Sequence, residues 1–158
     1  MTSKSIQINY QELAFSELEK NDQELIEHAL QSMKHAHSPY SHFKVGSAVR
    51  LHDGKVVTGS NQENAAYPSG LCAERVALFA AKSTSEESID SIAVVAINRE
   101  DEIADAFSCG SCRQVIMEYA SLQQKPIKML MRTAKGTVLV LEDSKELLPF
   151  HFNSDSLQ

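Results

Sequence analysis

A three-layer α/β/α fold with a mixed five-stranded sheet, its last two strands antiparallel, is predicted by three features of this 158-residue chain. Leu25, Ile26, Ala29, Leu30 and Met33 recur at helical spacing. Residues 92–97 read Ile-Ala-Val-Val-Ala-Ile, the core of a buried strand. Thr133-Ala134-Lys135-Gly136 separates two further apolar runs by so short a link that they can pair only antiparallel.

The elements follow in chain order. Residues 1–20 are polar and mixed and read as an N-terminal extension, with residues 21–158 forming a single domain. Asn21-Asp22 offers an N-cap to the first helix, which should stop near His37, before Pro39. Residues 45–50 and 55–59 are expected as strands joined around His52-Asp53-Gly54, because Asp-Gly tolerates the positive backbone angles of a tight hairpin. The polar, turn-rich residues 61–70 should be loop. Cys-Ala-Glu-Arg-Val-Ala-Leu-Phe-Ala-Ala-Lys, from Cys72 on, has high helix propensity and no breaker, so Cys72 and Glu74 fall in a first helical turn. A strand at 91–98 precedes a second such helix start, with Ser108 as the expected cap of a helix running from about 110 to 120. Strands at 127–132 and 137–141 and a short terminal helix complete the order.

Composition narrows the function. The chain is 42% hydrophobic and 23% charged, an ordinary balance for one domain with one core. A net charge of −6 disfavours nucleic acid as resident partner, since such binding draws on clustered Lys and Arg. No apolar run approaches the roughly 20 residues that span a bilayer, so no membrane partner is expected. The start Met-Thr-Ser-Lys-Ser lacks the pattern of a signal peptide, and an odd number of cysteines cannot all pair. A reducing, cytoplasmic setting is the expectation.

All three cysteines fall into one pattern, Cys72-Ala73-Glu74 followed by Cys109-Gly110-Ser111-Cys112. A catalytic zinc site takes three protein ligands and keeps a fourth position open, which three thiolates satisfy with no cysteine left over. A C-x-x-C pair alone could be a redox motif or half of a structural knuckle, but a closed structural site wants a fourth Cys or His at comparable spacing. Helix N-termini favour thiolate over thiol. Zinc lowers the pKa of bound water, and Glu74, beside the metal without ligating it, can carry protons. Three thiolates exceed the ion's two charges, and Arg75, one turn from Cys72, can offset that excess by hydrogen bonding to sulfur.

These segments resemble a known family. Cys72-Ala73-Glu74-Arg75 and Cys109-Gly110-Ser111-Cys112-Arg113-Gln114 look like the zinc deaminase signature. With Ser38-Pro39-Tyr40-Ser41-His42-Phe43-Lys44-Val45-Gly46 and Asn61-Gln62-Glu63-Asn64-Ala65-Ala66-Tyr67-Pro68 they resemble, in order and spacing, the small homotetrameric cytidine deaminases of the zinc-dependent cytidine and deoxycytidylate deaminase family. The resemblance implies the cytidine deaminase fold and one zinc ion per chain on Cys72, Cys109 and Cys112, with Glu74 as the proton shuttle. It implies that Asn61 and Glu63 hold the ribose hydroxyls, that the backbone around Ala65 meets the pyrimidine, and that Phe43 and Tyr67 complete the substrate site. Phe152 corresponds to the aromatic that reaches into a neighbouring subunit's site, a place for which Phe150 competes. The implied activity is hydrolysis of cytidine and deoxycytidine to their uridine counterparts plus ammonia, a step of pyrimidine salvage. A deaminase for a modified cytosine nucleoside such as blasticidin S, and a non-catalytic zinc module recognising nucleosides or proteins, are the other readings. One departure stands out: Ser108 occupies the position where proline usually precedes the C-x-x-C pair.

Overall fold

The computed structural model describes residues 1–157. The sheet is mixed but seven-stranded, where the sequence predicts five strands. Its members are β1 (Gln11–Ala14), β2 (Lys44–Leu51), β3 (Val56–Ser60), β4 (Ile89–Ile97), β5 (Ile103–Ala104), β6 (Lys128–Arg132) and β7 (Thr137–Leu141). Hydrogen bonding orders them β1-β7-β6-β4-β2-β3, and β5 adds to the end of β4. Only β4 and β6 run parallel; the β6–β7 pair is antiparallel, as its short link requires.

The two additional strands are both elements that local pattern does not reveal. Gln-Glu-Leu-Ala of β1 has one partly buried residue, Leu13, and owes its conformation to the open edge of β7, with Gln11 opposite Val140 and Ala14 opposite Thr137. Part of the segment read as an extension therefore pairs with the sheet. Strand β5 is two residues long and pairs Ala104 with Ala96 and Ile103 with Ile97.

Three α-helices cover the sheet: α1 (Lys20–Ser32) on one face, α2 (Ala73–Thr84) and α3 (Gly110–Gln123) on the other. Alternation along each strand sorts the core. Ala48, Ala93, Val95, Leu130, Val138 and Val140 meet Leu25, Ile26 and Ala29 of α1. Val49, Ile92, Val94, Met129 and Met131 face Ala77, Leu78 and Ala81 of α2 and Ile116, Met117 and Ala120 of α3. Two glycines set how closely the layers approach. A Cβ on Gly46 would lie 1.9 Å from the Ala29 carbonyl oxygen, and one on Gly59 would lie 2.4 Å from the Ala77 nitrogen. Both neighbours are helix backbone and cannot yield, so glycine on β2 admits α1 and glycine on β3 seats α2.

The caps differ from the sequence expectation at two helices. Helix α1 starts two to three residues earlier, with Glu19 at the N-cap. Asp22 is instead buried in the first turn and binds Lys128 Nζ at 2.6 Å, while the Asn21 carbonyl accepts from the Arg50 guanidinium. Cys109, not Ser108, is the N-cap of α3. The Ser108 hydroxyl is buried without a hydrogen-bond partner among the described residues, and the Ser108 carbonyl accepts from Arg113 Nε at 2.8 Å.

The Asp22–Lys128 pair ties the first turn of α1 to β6. Burial alone would depress Lys128, but the hydrogen bond and charge of Asp22, with Glu142 and Glu19, outweigh it and hold its pKa above 10.5. Lys128→Met leaves Asp22 buried and unpaired, and should lower unfolding free energy by about 3 kcal/mol in denaturant titration at neutral pH. A pKa raised on folding contributes stability in full below the unfolded value and loses it as pH rises through the folded one. The wild-type advantage should therefore hold at neutral pH and shrink as pH rises above 10.5.

Candidate active site

Helices α2 and α3 begin side by side, beyond the carboxyl ends of β3 and β4, the place where open α/β sheets hold their ligands. Cys72 is the N-cap of α2 and Cys109 the N-cap of α3, both in extended conformation. Cys112, on the first turn of α3, is fully buried. The Cys72 and Cys109 sulfurs are 3.7 Å apart, and all three Sγ atoms lie within 4.8 Å of one another. Three sulfurs this close, two at helix N-caps, can share one tetrahedral ion and leave its fourth position open. That donor set suits zinc.

The electrostatics prepare the cluster for a cation. Hydrogen bonding from Cys112 is the largest influence bringing the Cys72 thiol down to about 5, with the Arg75 guanidinium and Cys109 adding to it against the opposing effect of burial. Cys112 is pushed up correspondingly, because it supplies the shared proton and is buried beside the negative charges of Glu74 and Cys72. Arg75 Nη2 donates to the Cys72 sulfur at 3.7 Å. Glu74 lies two residues beyond Cys72 and is 4% exposed. Burial lifts its carboxyl above the usual carboxylate range, against the lowering effect of its own backbone N–H, and the Cys72 charge adds to the rise.

A cleft of about 620 Å³ opens over this group, within the roughly 300–1,000 Å³ of small-molecule sites. Cys72, Cys109, Glu74 and Arg75 line it together with Phe43, Asn61, Glu63 and Tyr67. Asn61 Oδ1 accepts from the Val45 amide at 2.8 Å and its Nδ2 donates to the Phe43 carbonyl at 2.9 Å, fixing the entry to β2. One amide N–H of Asn61 is left over. The Glu63 carboxylate accepts from the Tyr40 and Ser41 amides at 2.9 and 3.3 Å and from the Ser41 hydroxyl. Tyr67 is exposed at the rim and meets Tyr40 edge-on, ring centroids 6.2 Å apart.

Two of the residues named from the sequence lie elsewhere. Ala65 sits on the exposed loop that leads to the cleft and is not part of its wall. Phe152 is 60% exposed, and its carbonyl accepts from Gln114 Nε2 at 2.7 Å. Conversely, the cleft includes residues that sequence reasoning passed over: Asp105, Ala106 and Phe107 on the approach to Cys109, and Tyr40 and Ser41. For Asp105, Ala106 and Phe107 the signal was adjacency, since the approach to a metal ligand at a helix start must wall its site.

A profile of the cytidine and deoxycytidylate deaminase zinc-binding region matches residues 19–125. The chain belongs to this family. The zinc-dependent deaminase chain is 39% identical over 135 residues to the cytidine deaminase of Halalkalibacterium halodurans, covering 85% of this chain and 96% of the relative. It is 36% identical, again over 135 residues, to that of Sporosarcina psychrophila, covering 85% and 93%. Among solved structures, the cytidine deaminase of Burkholderia pseudomallei superposes with a TM-score of 0.71 at 38% identity, over 82% of this chain and 97% of that one. The deaminase is thus an enzyme of a zinc-binding family, and its three convergent cysteines are placed to bind the metal. Among the described residues no helix is long and apolar enough to cross a membrane.

Proposed function

We propose that this deaminase hydrolyses cytidine and deoxycytidine to uridine and deoxyuridine with release of ammonia, a salvage step. The observation that carries the reading is the meeting of three convergent sulfurs, two of them on the wall of the cleft, with a buried carboxyl that lines the same cleft and does not belong to the sulfur cluster.

Cys72, Cys109 and Cys112 would hold the zinc ion, which when bound supplies activation of a water molecule for attack on an electron-poor carbon. Glu74 takes the proton released from that water on one carboxylate oxygen and delivers it to N3 of the pyrimidine. It then takes the proton of the hydroxyl now bonded to C4 and passes it to the departing N4 amine, so that C4 becomes a carbonyl as ammonia leaves. A raised pKa suits both transfers, because a carboxyl poised nearer neutrality holds and yields a proton with comparable ease. Arg75, donating to Cys72, draws off negative charge and keeps three thiolates from quenching the metal. Phe43 offers an apolar wall for the ring. Asn61, with an N–H to spare, and Glu63, an acceptor, form a complementary pair for a sugar hydroxyl that both accepts and donates.

The acidic chain and the small cleft fit a free nucleoside. Phe152, exposed and outside the lining of its own cleft, leaves room for a homotetramer in which the C-terminal aromatic completes a neighbouring site, the boundary expected from the resemblance. Incubation with cytidine should yield uridine and ammonia in equal amounts, and blasticidin S run in parallel should turn over far more slowly. Faster release from blasticidin S would reverse the substrate assignment.

A further inference from the structure

Ser41 carries more bonds than a turn residue needs. It sits in the turn that closes with the His42 amide donating to the Ser38 carbonyl at 3.0 Å. His42 is left-handed, with φ of 56°, a conformation uncommon outside glycine. That geometry sends the Tyr40 and Ser41 amides toward one carboxylate oxygen of Glu63, at 2.9 and 3.3 Å. The Ser41 hydroxyl donates to the other oxygen and at the same time accepts from the Phe43 amide at 3.0 Å. One hydroxyl thus joins the carboxylate assigned to the sugar and the aromatic assigned to the base, and both line the cleft.

We propose that Ser41 is a positioning residue that fixes the Glu63 carboxylate for recognition of the sugar hydroxyls. A carboxylate accepts about four hydrogen bonds in all. Three are occupied by this turn, so the fourth is presented in one orientation. The Ser41 hydroxyl is also the largest influence holding Glu63 below the usual carboxylate range, ahead of the two amides and of His37. Glu63 therefore meets its ligand as an ionised, oriented acceptor. It favours a hydroxyl and opposes a phosphate ester at the same position. The inference rests on the proposed role of Glu63 toward the sugar.

The test compares cytidine with 2′,3′-dideoxycytidine, which lacks both ribose secondary hydroxyls, in wild type, Ser41→Ala and Ser41→Thr. Wild type should favour cytidine through KM. Ser41→Ala should raise KM for cytidine roughly tenfold, as loss of a hydrogen bond to a charged group does. Its kcat and its constants for the dideoxynucleoside should change less than about twofold, and Ser41→Thr should restore the wild-type KM. In a Glu63→Gln background Ser41→Ala should add nothing, because paired residues acting through one contact are not additive. Ser41 is exposed, so the variants should melt like wild type. A wild-type preference for cytidine that survives Ser41→Ala, or an equal loss on both nucleosides, overturns the positioning role alone. A wild type that treats the two nucleosides alike overturns the Glu63 reading, and this one with it.

Discussion

Glu74→Gln should reduce turnover of cytidine by about 10²- to 10⁴-fold, the span of a positioned general acid and base, while zinc stays at one per chain. Glu74 is buried on the first turn of α2 and stands outside the three-sulfur cluster. Glutamine has nearly the same shape and can still accept a hydrogen bond, so substrate and metal keep their places. It cannot take the proton from water or return one to N3. KM should therefore change little while kcat collapses, the pattern of an interaction needed only in the transition state. Metal analysis and steady-state kinetics on the same preparation check this. A glutamine protein that retained a tenth of wild-type kcat would remove Glu74 from the mechanism.

Cys112→Ala should have a comparably large effect by a different route. Cys112 is fully buried on α3, and its sulfur completes the cluster. With only Cys72 and Cys109 left, two thiolates at neighbouring helix N-caps must hold the ion without the third. Metal affinity should fall by more than about 100-fold, since even changes to groups that merely support a ligand reach that size. Dialysis against a weak chelator should leave wild type loaded and strip the variant, with activity following zinc content. Alanine is preferred to serine, which would bury a hydroxyl in place of a sulfur. A stripped variant with wild-type turnover would show that the metal is not what activates the water.

The fold was legible wherever sequence pattern and burial agree. Leu25, Ile26 and Ala29 carry helical periodicity and occupy the core under α1, and the run from Ile92 to Ala96 is buried throughout. Strand β1 was not legible: Gln-Glu-Leu-Ala has too short an alternation, and its conformation comes from pairing with β7, a long-range cause that no local window contains. The Ser108 cap failed for a related reason. Ser108 has the right residue type, but the approach from Phe107 places Cys109 at the helix start and leaves the Ser108 hydroxyl buried.

The metal cluster and Glu74 could be read because their spacing in sequence maps onto two helix starts. Asn61 and Glu63 were named from the family resemblance; the structure adds which of their hydrogen bonds are already taken by the chain itself. An amide's free N–H and a carboxylate's free lone pair depend on the partners that a tertiary turn supplies. Ser41 gave no separate sign, since a serine after tyrosine in a turn is ordinary, and its importance lies in the meeting of residues 41, 43 and 63.

In the proposed function this cleft removes ammonia from cytidine with metal on the three cysteines and protons carried by Glu74. An ultraviolet assay of cytidine loss on purified protein, with zinc counted on the same sample, tests it most directly. Zinc near one per chain with rapid conversion to uridine is the expected result. A fully zinc-loaded protein that leaves cytidine and deoxycytidine unchanged would contradict the account.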